Sequence, residues 1–294
     1  PSLGLDDAGD PGSQLFRQGA WADYDGDGDM DLVLNGDSDT LWRNDGSTFT
    51  LVGSGPGGTA SFAWGDYNSD GHIDLFAAKT VMSDSRLYMN NGDGTFSNVT
   101  GGVLTAPLQK VGSAQGASAA WGDYDNDGDP DLFFSALGHN RLFRNDGGTY
   151  VEVTEAAGVA GNAENWSTSC GWFDYDNDGD LDLWVCNYIV WSREFDLAQP
   201  FTLTGSDRAY GRPQDFEGTF SRLYRNEGDG TFADVSEAAG LQIRNPTTGV
   251  PLAKSLGLMF SDFDGDGWMD AVVANDTVQN LLFRNRGDGT FEEL

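Results

Sequence analysis

The nine residues Asp174-Tyr175-Asp176-Asn177-Asp178-Gly179-Asp180-Leu181-Asp182 crowd five carboxylates between two apolar, strand-like runs. Hard oxygen donors at alternate positions, with a glycine at position six for the sharp turn, suit Ca2+, which takes six to eight oxygens in a flexible geometry. On this spacing positions one, three, five and nine offer side-chain oxygens, and position seven offers its backbone carbonyl. The unit occurs five times: Asp23, Asp25, Asp27 and Asp31 with Asp29 at position seven; Asp66, Asn68, Asp70 and Asp74 with His72; Asp123, Asp125, Asp127 and Asp131 with Asp129; Asp174, Asp176, Asp178 and Asp182 with Asp180; Asp262, Asp264, Asp266 and Asp270 with Trp268. Five copies, each with glycine at position six, argue against merely solvated acidic turns. About five Ca2+ are expected. Asn68 removes one formal charge from the second ligand set, so that site should bind most weakly.

An EF-hand shares the first half of this loop but requires a bidentate Glu at position twelve and flanking helices. Here position twelve is Leu34, Ala77, Phe134, Val185 or Val273, each inside an apolar run. The loops therefore need strands to hold them. Trp21 leads into the first loop and Asp31-Leu32-Val33-Leu34 leaves it; a third strand, Thr40-Leu41-Trp42-Arg43, ends at Asn44-Asp45-Gly46, and a fourth begins at Thr48-Phe49. No helix is indicated. The later copies follow the same plan, with tight turns such as Asn90-Asn91-Gly92-Asp93-Gly94 and Asn226-Glu227-Gly228-Asp229-Gly230, expected to supply positive φ for a hairpin. Four-stranded units at this spacing predict an all-β fold, a β-propeller of five blades, read as a single domain over 1–294. The blades fall at about 15–58, 59–105, 116–160, 166–240 and 255–294, with an insertion over 189–218 in the fourth.

The formal charge is -31, and nearly half of the 47 Asp and Glu residues sit in the five loops. Five Ca2+ would still leave a large negative balance, which disfavours nucleic acid and anionic membranes as partners. No apolar run is long enough to insert into a membrane. Loops of this kind are typical of extracellular modules, which places the protein outside the cytoplasm: secreted, cell-surface or periplasmic. The chain opens at Pro1, as a processed, truncated or partial chain would.

The unit Trp-Gly-Asp-Tyr-Asp-Asn-Asp-Gly-Asp-Pro-Asp-Leu at 121–132, the stretch Arg-Leu-Tyr-Arg-Asn-Glu-Gly-Asp-Gly-Thr-Phe at 222–232, and Ala274-Asn275-Asp276 carry a resemblance. Over nearly its whole length the chain resembles the FG-GAP or VCBS repeats of integrin α-subunit propellers and of bacterial cartilage-acidic-protein (ASPIC/UnbV-associated) secreted proteins. The resemblance implies a calcium-stabilised propeller, often seven-bladed, with metal loops joining first and second strands. Five blades leave ring closure open. It also implies an extracellular binding or adhesion scaffold, not an enzyme, with structural calcium and a protein or glycan ligand on the face opposite the calcium loops. A carbohydrate-binding lectin is the alternative, and a polysaccharide lyase or hydrolase a second one.

No His-Glu-x-x-His or Gly-x-Ser-x-Gly pattern occurs, and most clustered acids are assigned to metal, which leaves little hydrolytic apparatus. Arg286-Gly287-Asp288 spells a tripeptide recognised by integrins, but equivalent turns carry other residues before the same glycine, so it reads as turn chemistry. The insertion gathers Trp191, Arg193, Tyr210 and Arg212 in a chain poor in positive charge, and aromatic and Arg side chains dominate interface hot spots. These four are the candidate partner-binding residues, although the aromatics could equally form a satellite core under the insertion. Cys170 and Cys186 are equidistant from the fourth loop and are expected to face each other, either bridged or as two packed thiols.

Overall fold

The computed structural model describes residues 18–36, 38–56, 59–79, 85–100, 118–202 and 211–294. Among these, the chain is all-β, with five four-stranded antiparallel sheets built as meanders, the blade of a β-propeller. The first sheet holds β1 (Gly19–Ala22), β2 (Asp31–Leu34), β3 (Ser38–Asn44) and β4 (Phe49–Pro56). The second holds β5 (Thr59–Gly65), β6 (Asp74–Lys79), β7 (Arg86–Asn90) and β8 (Phe96–Asn98). In the third are β9 (Ala119–Gly122), β10 (Asp131–Phe134), β11 (Arg141–Asn145) and β12 (Tyr150–Glu152). The fourth comprises β13 (Asn165–Phe173), β14 (Asp182–Val190), β15 (Arg222–Asn226) and β16 (Phe232–Asp234). Finally come β17 (Ser255–Ser261), β18 (Asp270–Asn275), β19 (Leu281–Asn285) and β20 (Phe291–Glu293). Where the repeats suggest one domain, the contacts cluster into two compact units. One contains the first two sheets, the other the last two, and the third sheet is divided between them.

Second strands are the most deeply buried because both of their faces are covered. All four residues of β10 are buried, and β14 is buried from Asp182 through Asn187. A continuous apolar run of this length is what a fully covered strand requires. In the second unit Trp184 is fully buried, its ring 5.5 Å from those of Phe283 and Phe291 and 6.1 Å from that of Phe173. In the first unit Val33, Phe62, Leu75 and Ala77 form the corresponding core.

Among the described residues, two short α-helices appear that strand periodicity does not announce. One is a single turn, α1 (Thr154–Ala157), closed by Gly158 at φ 80°. A left-handed glycine ends such a turn without a Cβ penalty. The other, α2 (Arg193–Ala198), opens the insertion, with Ser192 Oγ accepting the Phe195 N–H at 3.1 Å as its N-cap.

The register corrects the expected cysteine pairing. The residue before the first Asp of a loop pairs with the ninth-position Asp: Ala22 with Asp31, Gly65 with Asp74, Phe173 with Asp182 and Ser261 with Asp270. Symmetry about the loop is therefore one residue off, and Cys170 lies opposite Val185, not Cys186. A one-residue slip exchanges the faces of a strand. Between the Ser167–Asn187 and Cys170–Val185 pairs, a bulge sets Thr168 and Ser169 against Cys186 alone. Neither cysteine is in a disulfide, and burial pushes the Cys186 thiol up to about 12. Two thiols per chain should titrate after unfolding without reductant, and Cys186 should stay unreactive in the native protein. Recovery of a bridged species would contradict this register.

Candidate metal centres

Each acidic loop is folded by its own carboxylates. The position-one Asp turns back to accept the backbone N–H groups at positions five and six: Asp174 takes those of Asp178 at 3.1 Å and Gly179 at 3.0 Å. Asp23, Asp66, Asp123 and Asp262 do the same. Position five then accepts the N–H of position seven, as Asp178 does from Asp180 at 2.9 Å. The tight path demands left-handed backbone at two places. Position six is always glycine, and position four, unnoticed in the sequence, is Gly26, Ser69, Asn126, Asn177 or Gly265, each at positive φ. Asn and Gly tolerate that conformation with least strain.

Position nine has a double role. Asp31, Asp74, Asp131, Asp182 and Asp270 are all almost fully buried at the foot of the second strand. Asp182 accepts the N–H of Tyr175 at 2.9 Å with one oxygen and that of Asn226 at 2.8 Å with the other, stapling the loop to β15. Asp31, Asp74 and Asp270 make the equivalent pair of bonds. Two bonds leave lone pairs over, since a carboxylate offers about four acceptor sites. Even with both N–H groups, desolvation raises the Asp182 carboxyl to about 7 and that of Asp74 to about 6. Burial without a cation disfavours the charged form.

The carboxylates converge. Ligand atoms of Asp23, Asp25 and Asp27, of Asp123, Asp125 and Asp127, of Asp174, Asp176 and Asp182, and of Asp262, Asp264 and Asp270 lie within 4.8 Å of one another in each loop. In the fourth loop Asp176 Oδ1 is buried and has no hydrogen-bond partner, and desolvation followed by repulsion from Asp178 and Asp174 raises its carboxyl. An orphaned carboxylate oxygen facing two more carboxylates fits a hard divalent cation. Asp178 and Asp266 lie in exposed positions outside those triads, and Asp31 and Asp131 serve as staples in their loops.

The second loop differs. Asn68 Nδ2 donates to Asp70 Oδ2 at 2.9 Å, so an uncharged amide hydrogen-bonds a carboxylate oxygen that a cation would otherwise take. This site should fill last in a calorimetric Ca2+ titration, and Asn68→Asp should tighten the weakest class of sites by about tenfold. No change in that class would show that another loop is the weak one.

Position seven does something the sequence does not reveal. Its side chain packs against the turn between third and fourth strands: Asp129 Oδ2 accepts the Gly147 N–H at 3.0 Å, and a Cβ on Gly92 or Gly287 would fall 2.5 Å from His72 Nε2 or 2.6 Å from the Trp268 ring. These turns share the loop end of each sheet, which sets Arg286-Gly287-Asp288 beside the fifth loop. Gly92, Gly94, Gly228 and Gly230 supply the positive φ expected of these turns, and the asparagines do not take that conformation. Instead Asn90, Asn226 and Asn285 each donate Nδ2 to the carbonyl of a loop tyrosine one sheet earlier, Tyr24, Tyr124 and Tyr175, at 2.7 Å. Asn145 reaches Tyr67 O at 3.0 Å. Such cross-sheet bonds leave no periodic mark in the chain.

The insertion leaves β14 at the end away from the loop, about 26 Å from Asp182 along a nine-residue strand. Trp191 is half-buried, its ring 6.3 Å from that of Trp166. Phe195, Phe201 and Phe216 pack together, a satellite core of the kind weighed from composition. Arg193 is exposed, and Arg212, 78% exposed, pairs with Asp215 at 3.3 Å. Tyr210 lies outside the described residues. No helix among those described is long and apolar enough to cross a membrane.

A sequence model of the FG-GAP-like repeat matches residues 23–77, 66–134, 123–185 and 262–294, more than half of the chain. No curated protein matches. Among solved structures, a lectin of Agrocybe aegerita, described as recognising non-reducing terminal N-acetylglucosamine, is similar at TM-score 0.49 and 19% identity, over 95% of this chain and 64% of the lectin. This chain thus spans less than two thirds of that protein. A structure of BBS1N in complex with ARL6DN is similar at TM-score 0.41 and 10% identity, over 93% of this chain and 84% of that one.

Proposed function

Because this chain belongs to the FG-GAP-like repeat family, we propose that it is a calcium-binding β-propeller scaffold that acts outside the cytoplasm by binding a protein or glycan partner, not by catalysis. The observation that carries the reading is the convergence of three carboxylates in each of four loops, one of them with a buried oxygen left unpartnered. Asp23, Asp25 and Asp27, and their counterparts through Asp262, Asp264 and Asp270, would hold the metal. The bound cation would supply positive charge that permits the buried carboxylates to stay ionised, and its role is structural. The loops are stiff because their carboxylates already bind backbone. Loops on a rigid scaffold are where binding residues gather, and the insertion at the other end of the fourth sheet, with Trp191, Arg193, Tyr210 and Arg212, is the proposed partner surface.

The test is calorimetric titration of chelator-treated protein with Ca2+, followed by a glycan array and a turnover assay on the loaded protein. About five equivalents should bind, with no turnover of array polysaccharides. Uptake of less than one equivalent, or turnover of a polysaccharide, would overturn the reading.

A further inference from the structure

Lys254 is a buried lysine in a strongly acidic chain, only 8% exposed at the residue preceding β17. Its ammonium does not turn towards the acidic loops. Nζ donates to the carbonyl of Pro213, in the returning limb of the insertion, while its backbone N–H donates to Asn275 Oδ1 at 3.0 Å and its carbonyl accepts the Asp276 N–H at 2.9 Å. One residue is thus tied by its main chain to the fifth sheet and by its side chain to the insertion of the fourth.

The neighbouring contacts are equally close. A Cβ on Gly218 would fall 2.2 Å from the Ala253 carbonyl oxygen and 3.3 Å from Lys254 Cγ, so the limb is seated directly on residues 253 and 254. Asp276 accepts the Tyr188 hydroxyl at 2.6 Å, linking the end of β14 to the same spot. Burial lowers the Lys254 amine, and Asp276 and then Asp215 act against that, so carboxylates from both sheets face it. Ile189 and Gly218 close the base of the insertion as an isolated bridge.

We infer that Lys254 is a positioning residue: it fixes the returning limb of the 189–218 insertion on the fifth sheet and so presents Arg212 and its neighbours as a preformed surface. The part that concerns a partner rests on the function proposed above; the docking itself does not. A buried, charge-assisted bond to a carbonyl holds such a limb more firmly than surface contacts do.

Hydrogen exchange on the calcium-saturated full chain reads the docking without any partner. In Lys254→Met, which keeps the length and removes the charge, amides of 211–218 and the Val190 amide, bonded to Glu217 O, should exchange at least about tenfold faster. Amides of β17 to β20 should be unchanged. Lys254→Arg should restore most of the protection. Equal exchange in Lys254→Met and wild type would overturn the inference, as would an equal acceleration across the whole fifth sheet, which would make Lys254 an ordinary core residue. Calcium uptake is read separately, so failure of the metal reading leaves this result interpretable.

Discussion

Excess EDTA is expected to lower the melting temperature of this protein by more than about 10 °C, and added Ca2+ to restore it. A ligand that binds only the folded state at one hundred times its Kd contributes about 2.7 kcal/mol per site. Two such sites in one cooperatively melting unit shift the transition by about 10–20 °C, at 2–4 °C per kcal/mol. The direction follows from the loops: four of them gather three carboxylates around one point, and Asp176 has an oxygen with nothing to bind. Differential scanning calorimetry in EDTA, in Ca2+ and in Mg2+ checks this. A melting curve indifferent to chelation would show that the loops hold themselves without metal.

The second large effect separates the carboxylates that build a loop from those that serve only the cation. Asp182→Ala removes the acceptor for two buried N–H groups, those of Tyr175 and Asn226, and should cost about 2–6 kcal/mol in EDTA as well as in Ca2+. Asp176→Ala should destabilise only in Ca2+. In EDTA it should be neutral or slightly stabilising, because Asp176 is held against Asp178 and Asp174 with its charged form already disfavoured by burial. Chemical denaturation of both variants in both conditions gives four numbers. If Asp176→Ala weakens the EDTA form as much as Asp182→Ala does, the division of labour is wrong.

The loop residues were legible because their chemistry is local. Positions one, three, five and nine and the glycine at six lie within nine residues, so ligand type and spacing can be read directly. The strands were legible for the same reason, since second-strand runs such as Asp131-Leu132-Phe133-Phe134 announce burial on both faces. The helix turn at Thr154–Ala157 was not, because four residues carry no period. Nor was the cysteine register: a count symmetric about the loop places Cys170 opposite Cys186, whereas the loop closes on Phe173 and Asp182 and moves every partner by one.

By itself the sequence determined that this protein is made of five repeated β units, each with an acidic loop suited to a hard cation, because repetition and alternate-position oxygens survive without any knowledge of distant contacts. Only the tertiary structure decided that the ninth-position Asp is a staple, that Asn226 reaches the Tyr124 carbonyl 102 residues away, and that Lys254 reaches Pro213. Each of these depends on a backbone donor or acceptor left open by one segment and met by another. A main-chain N–H or C=O is the same in every residue, so no residue type marks where such a partner will come from.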